Sequence, residues 1–214
     1  MLQITLDGPS GSGKSTLAKL IASKLGITYL DTGAMYRAIT YYCLSNKIDV
    51  TDGSAVTESL AQLKIDLDGD KIFVNGLDVS VPIRTEETSR NVSAIASIGS
   101  VRTYLVKMQQ SIAASQPIVM DGRDIGTVVL PNAPYKFFIT ASVEERARRR
   151  YDEQLHKGEK VDYEAIKSDI ELRDYKDTNR EISPLKAAED AIHVDTTSMT
   201  IDEVVDFIVN EVRK

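Results

Sequence analysis

The chain has 214 residues, a single cysteine, two histidines and a formal charge of −6. That length suffices for one substantial core burying roughly 70% of the unfolded surface, with room for a small insert. Cys43 alone excludes an internal disulfide framework, His156 and His193 leave no Cys/His metal cluster, and the acidic balance argues against a broad nucleic-acid surface.

The chain opens on a short apolar run, Leu2-Gln3-Ile4-Thr5-Leu6, which predicts a strand and leaves no room for a signal peptide before it. Gly8-Pro9-Ser10-Gly11-Ser12-Gly13-Lys14-Ser15 follows, matching G-x-x-x-x-G-K-[ST] between that strand and a helical pattern. Glycines at 11 and 13 permit dihedrals that expose backbone N–H groups, and the positive end of the next helix adds to them, so this turn is expected to wrap a polyphosphate. Lys14 is expected on the β- and γ-phosphates and Ser15 on Mg²⁺, with Gly8, Ser10, Gly11, Ser12, Gly13 and Thr16 completing the phosphate loop. The helix is predicted over 14–25, since Leu17, Leu20, Ile21 and Leu25 share a face and Gly26 suits the left-handed position that ends it.

A second strand is expected at Ile27-Thr28-Tyr29-Leu30, then a helix from about Ala34 ending at Asn46-Lys47. Asn46-Lys47-Ile48-Asp49 also fits the Asn-Lys-x-Asp pattern that reads guanine, but it precedes the only Asp-x-x-Gly sequence, Asp66-Leu67-Asp68-Gly69, and is taken as a helix end. Alternation in Leu63/Ile65/Leu67, Ile72/Val74 and Leu77/Val79/Val81 around Asp68-Gly69 and Asn75-Gly76 predicts a small antiparallel meander over 62–83. A mostly helical stretch from Thr85 to Ser115 should lead back to the core.

Ile118-Val119-Met120 is the next apolar strand and ends at Asp121, where a carboxylate can hold Mg²⁺ directly or through water; an ordinary turn aspartate is the alternative. Gly122-Arg123-Asp124-Ile125-Gly126 then reads as a polar loop at the carboxyl end of that strand, the edge where open α/β sheets bind ligands. Lys136 to Thr140 forms another strand, and Ser142-x-x-Glu145 a capping box. Arg146, Arg149 and Arg150 share a helix face with Arg148 off it, and a charged loop at Gly158 follows. This suits a solvated face paired with Glu144 and Glu145, or a lid that carries positive charge onto a transferring phosphoryl group. A helix from about Asp162 carries Arg173, Asp177 and Arg180 at i, i+4 and i+7, followed by a strand over 191–194 and a second capping box, Thr200-x-x-Glu203. Strands alternating with helices imply a parallel sheet covered on both faces.

Four segments, the phosphate loop, Asp31-Thr32-Gly33-Ala34-Met35-Tyr36-Arg37, Asp121 through Thr127, and Arg173-Asp174 through Asn179-Arg180, together resemble the bacterial cytidylate kinase family over nearly the whole chain. The resemblance implies an α/β P-loop NTPase fold with a five-stranded parallel sheet flanked by helices, a small antiparallel β insert and a mobile lid. The core would span 1–36 and 116–214, with the lid at about 146–162, and the monophosphate-binding region 37–115. It implies transfer of the γ-phosphoryl group of ATP to CMP or dCMP with Mg²⁺. Ser93, Arg102 and Asp124 would read cytosine, Arg173 and Asp177 would contact the sugar, and Arg37, Arg123 and Arg180 would clamp the acceptor phosphate. Thr32 and Tyr36 would line the acceptor, Thr32 standing where relatives often have serine. Lys14, Arg123, Arg149, Arg150 and Arg180 would act on the transferring group. A cytoplasmic monomer is expected, with no nucleic-acid polymer or membrane as partner, since no apolar run approaches the ~20 residues of a membrane span. A kinase of another small acceptor, or a nucleotide-dependent switch, are the competing readings.

Overall fold

A computed structural model describes residues 1–214. In chain order, β1 (Gln3–Asp7), α1 (Lys14–Leu25) and β2 (Thr28–Asp31) are followed by α2 (Thr32–Ser45) and a short α3 (Gly53–Ser59). A meander of β3 (Ile65–Asp68), β4 (Lys71–Val74) and β5 (Leu77–Asp78) leads to α4 (Glu86–Ser97) and α5 (Gly99–Ala113). The chain continues through β6 (Ile118–Gly122), β7 (Tyr135–Thr140), α6 (Val143–His156), α7 (Tyr163–Asn179), β8 (Ile192–Asp195) and α8 (Ile201–Val212). It divides into two units, one of Met1–Leu30 with Ile112–Lys214 and one of Asp31–Ser111.

The first unit is built on a five-stranded sheet in the order β2-β6-β1-β7-β8, with parallel pairing from β6 through β1 and β7 to β8. Every residue of β6 is buried, as its unbroken apolar run requires of a strand covered on both faces. α1 and α8 close one face: Leu17, Ile21, Val205 and Ile208 pack with Ile4, Leu6, Phe137, Ile139 and Val194 in a continuous core. Gly26 ends α1 at φ 64° and ψ 36°, with its N–H on the Ala22 carbonyl. Thr200 and Glu203 form the reciprocal box expected at the start of α8. At α6 only half of the expected box forms, because Ser142 caps the Glu145 N–H while the Glu145 carboxylate turns to Arg149 at 3.0 Å. α6 and α7 make a hairpin with a small core of its own, Ala147, Ile166 and Ile170, bordered by an edge-on pair of Tyr151 and Tyr163 rings.

The second unit carries the antiparallel sheet β3-β4-β5. Asn75 and Gly76 both take positive φ, 51° and 81°, as a type I′ hairpin turn demands, and Gly69 at 55° serves the other turn. The Asn46 amide donates to the Tyr42 carbonyl at 2.8 Å, so Asn46 does cap a helix end. The mostly helical stretch expected over 85–115 comprises two helices, α4 and α5, broken where Ile98 adopts φ −80° and ψ 119°. In the first unit, the segment expected as a polar loop after Asp121 instead winds into a π-helical turn over Ile125–Val129.

Gly8 shows how closely the phosphate loop is held to the sheet: a Cβ built there would lie 2.0 Å from the backbone oxygen of Ile139 in β7. At Gly26, by contrast, a Cβ would meet nothing within 4 Å. Gly8→Ala is therefore expected to cost about 3 kcal/mol or more of folding stability, whereas Gly26→Ala should cost only the left-handed strain of about 1–2 kcal/mol. Urea unfolding of the two variants checks the contrast; similar losses would show that the close approach at Gly8 is unimportant.

Candidate functional site

The loop from Gly8 to Ser15 leaves the carboxyl end of β1, the central strand, where the chain branches to strands on either side. Open α/β sheets bind ligands at such a switch point. Gly11 at φ 76° and Gly13 at φ 84° take conformations that side chains disfavour, and no side chain caps the N-terminus of α1, leaving its first N–H groups for a ligand. Lys14 is buried within the loop, its Nζ donating to the Pro9 carbonyl at 2.6 Å and to Ser12 Oγ at 3.0 Å. Burial, reinforced by the nearby Arg123 charge, pulls its proton affinity well below the ordinary lysine range, against the opposing pull of Asp121 and Asp7.

Ser15 Oγ donates to Asp121 Oδ2 at 2.7 Å, and the Tyr29 hydroxyl donates to Asp121 Oδ1 at 2.9 Å. Ser15 and Asp121 thus meet across 106 residues and offer an oxygen-only pair. No cluster of three or more acidic, histidine or cysteine side chains forms a dedicated metal cage. Two protein oxygens suit a small hard cation that keeps water and substrate phosphates as its remaining ligands.

At the neighbouring carboxyl end of β6, Arg123 donates from Nε to Asp177 Oδ2 at 2.9 Å. Arg173, one turn before Asp177 on α7, approaches the same oxygen at 4.0 Å. Burial alone would push the Asp177 carboxyl up, but the Arg123, Arg173 and Arg180 guanidiniums hold it below the ordinary range. Arg180 does not continue the α7 face as its i+7 spacing predicts. It caps the helix in an extended conformation, φ −66° and ψ 142°, with Nη2 3.5 Å from Asp124 Oδ1.

Asp7 was not singled out by sequence, yet its carboxyl accepts the backbone N–H groups of Ile125 at 2.8 Å and Gly126 at 2.7 Å. It pins the π-helical turn that follows Asp124 to the strand preceding the phosphate loop. A Cβ at Gly126 would come within 3.0 Å of Thr5 Oγ1 and 3.3 Å of Asp7 Oδ2, so glycine there permits the contact. The only sequence signal was a charged residue closing an otherwise apolar strand.

The arginines of α6 do not act as one face. Arg146 is buried, bonded to the carbonyls of Ala141 and Ser10 and to Asp174. Arg149 donates to Glu145 at 3.0 Å and to the Thr196 carbonyl at 2.7 Å, while Arg150 is half-buried.

In the second unit, Asp31 caps α2 through the Ala34 N–H at 2.8 Å and pairs with Arg84 at 2.9 Å. Burial raises the Asp31 carboxyl, but Arg37 and Arg84 together hold it below the ordinary range. A Cβ at Gly33 would lie 3.1 Å from an Arg37 guanidinium nitrogen, so this glycine leaves Arg37 its place beside Asp31. Arg102 is buried, donating to the Ala96 carbonyl at 3.2 Å with its guanidinium 5.6 Å from the centre of the Tyr36 ring. Thr32 is buried at the start of α2, and Ser93 is half-buried on α4. The sequence-predicted residues therefore gather as Lys14, Ser15, Asp121, Arg123, Asp124, Arg173, Asp177 and Arg180 in one unit, and as Thr32, Tyr36, Arg37, Ser93 and Arg102 in the other.

Residues 4–214 match the family model described as cytidylate kinase. A cytidylate kinase of Streptococcus suis is 55% identical over 212 residues, covering 97% of this chain and 94% of that protein. One of Bacillus subtilis is 52% identical over 217 residues, covering 100% of this chain and 97% of the relative. Among solved structures, a gluconokinase from Sinorhizobium meliloti aligns with a TM-score of 0.52 at 15% identity, covering 99% of this chain and 91% of that one, which is a likeness of fold.

The Asp7 carboxyl is pushed up from 3.8 to about 6, chiefly by burial and partly by the Asp124 charge, against the two N–H bonds and Lys14. A value higher in the folded than in the unfolded state means that folding favours the protonated carboxyl. That contribution is complete below about pH 4 and is lost as pH rises through about 6. The stability of the wild type relative to Asp7→Asn should therefore fall by on the order of 2–3 kcal/mol between pH 4 and pH 7. Chemical denaturation of both proteins across that range measures it; a pH-independent difference would refute the assignment.

Proposed function

Since the chain belongs to the cytidylate kinase family and transfers the γ-phosphoryl group of ATP to CMP or dCMP, we propose that the loop from Gly8 to Thr16 holds the ATP phosphates. On the same reading Thr32, Tyr36, Arg37, Ser93, Arg102, Arg123, Asp124, Arg173, Asp177 and Arg180 hold the acceptor. The observation that carries this assignment is the convergence of Lys14, Ser15, Asp121 and the Arg123–Asp177 pair at the carboxyl ends of adjacent strands. Ser15 and Asp121 would hold Mg²⁺, directly or through water, and the ion when bound supplies positive charge at the β- and γ-phosphate oxygens.

Phosphoryl transfer passes through a loose transition state and depends on alignment and charge neutralisation rather than on covalent help from the protein. The acceptor is itself a phosphate oxygen, so no strong general base is required. Lys14 exchanges its contacts with Pro9 and Ser12 for phosphate oxygens, which restore the proton affinity that burial has depressed. Arg123 and Arg180 neutralise the acceptor phosphate, Asp177 keeping Arg123 oriented. Arg149 and Arg150 bring positive charge to the transferring group as α6 adjusts around bound ATP, and exclusion of water protects the phosphoryl group from hydrolysis. Asp124 accepts from the 4-amino group of cytosine, where uracil presents a carbonyl, and Ser93 and Arg102 donate to the ring acceptors. No helix is long and apolar enough to cross a membrane, and the one cysteine, Cys43, is buried.

Lys14→Met should abolish transfer while preserving fold and CMP binding, because the thioether matches the lost side chain in length but not in charge. Coupled ADP detection with far-UV circular dichroism tests this; near-wild-type turnover would remove Lys14 from the mechanism.

Base recognition has its own measurement. Asp124→Ala should lower the CMP/UMP ratio of kcat/KM by roughly ten- to a hundredfold, the worth of a hydrogen bond to a charged group. If Asp124 served only to orient its neighbours, both acceptors would suffer alike and the ratio would stand unchanged.

A further inference from the structure

Ser10 lies in the middle of the phosphate loop, and both its backbone groups are held by side chains of the α6–α7 hairpin. Its N–H donates to Asp174 Oδ1 at 2.9 Å, across 164 residues, and its carbonyl accepts from Arg146 Nη1 at 2.8 Å. The same guanidinium nitrogen donates to Asp174 Oδ2, closing a ring of three hydrogen bonds, and Arg146 Nε is anchored on the Ala141 carbonyl at 3.0 Å. The two side chains are 5% and 19% exposed, so the pair is largely shielded from water. Gly11, the following residue, takes φ 76°, and a Cβ there would lie 3.3 Å from Arg146 Cβ, so the α6 side of this packing is tight against the loop.

The physical need for such a clamp follows from the loop itself. Positive-φ glycines at 8, 11 and 13 let the chain bend around phosphates, but the same freedom lets its peptide planes rotate away from them. Order imposed before the ligand arrives lowers the entropic cost of binding it. Bonds involving charged partners are the stronger kind, and the Arg146–Asp174 pair sums to zero charge, so it adds neither attraction nor repulsion for an incoming anion.

We propose that Arg146 and Asp174 are positioning residues for the donor: by gripping Ser10 on both sides they set the orientation of the loop N–H groups that bind the triphosphate. This rests on the reading of the loop from Gly8 to Thr16 as the ATP phosphate site. Neither side chain needs to touch either nucleotide. Arg146 thereby acts through the loop, unlike Arg149 and Arg150 on the same helix.

The test uses the full chain with Asp174→Asn, which keeps an acceptor for the Ser10 N–H but loses the charge facing Arg146, and Arg146→Lys, which keeps a charge but loses the guanidinium fork. Each should weaken ATP binding about tenfold by isothermal titration while CMP binding, measured without ATP, changes by less than about twofold. The double variant should be little worse than either single one, as for two members of one unit. Wild-type ATP affinity in both variants, or equal losses for ATP and CMP, would overturn the proposal. Should Asp174→Asn fail to fold, Arg146→Lys decides alone. Lys14→Met separates the two levels: lost transfer there with intact ATP binding in the clamp variants overturns only the clamp, whereas wild-type transfer in Lys14→Met overturns the loop reading beneath it.

Discussion

Repulsion between like charges brought out of water sets the terms for the rest of the first unit. Lys14 is buried near Arg123, and Arg173 and Arg180 both act on Asp177, which Arg123 grips. Two unit charges about 4 Å apart interact by roughly 4 kcal/mol at the effective dielectric of a protein surface. Such a group of cations is tolerable only with carboxylates set among them, and Asp177, Asp121 and Asp124 are those carboxylates. Arg123 and Arg180 are held by Asp177 and Asp124, and Lys14 by the Pro9 carbonyl and the Ser12 hydroxyl, so under the proposed function phosphates would meet side chains already in place. In a chain that is acidic overall, these cations form a local group held by neighbouring side chains.

Aspartates of identical chemistry do different work here because their surroundings differ. Asp177 faces three guanidiniums and is kept ionised. Asp31, in the second unit, is kept ionised by Arg37 and Arg84 while it caps α2. Asp7 faces two backbone N–H groups in a dry setting, and burial outweighs them, so its carboxyl is raised to about 6. The first two are electrostatic partners for arginines; the third shapes the backbone that carries Arg123 and Asp124.

Backbone geometry supplies the other half of the construction. Gly8 lets the loop pass against the β7 backbone, Gly11 eases the close approach of Arg146 on α6, and Gly126 lets the π-helical turn settle on Asp7. At each place the absent side chain is what allows two remote segments to meet. The motif glycines therefore serve tertiary contact as well as the dihedrals of a phosphate-binding turn.

Much of this was legible in the sequence where the determinants are local. The phosphate loop is contiguous, the Asn75-Gly76 turn declares its dihedrals, and the period of two in the meander and the apolar face of α1 mark their own conformations. Ser15, in the motif that opens α1, and Asp121, near the end of β6, were both singled out by sequence, and the structure brings them together. Other features were not legible. Nothing local distinguishes Arg146, which is buried against Ser10 and Asp174, from Arg149 and Arg150 on the same helical arc. Asp7 reaches N–H groups 118 and 119 residues away, and Arg180 leaves the helix whose spacing it matched. Hydrogen bonding within a few residues, side-chain periodicity and glycine dihedrals belong to the sequence by itself. Which of several chemically equivalent charges loses its water, and what then compensates it, is decided only when distant segments pack, because desolvation belongs to the assembled surroundings and not to the residue.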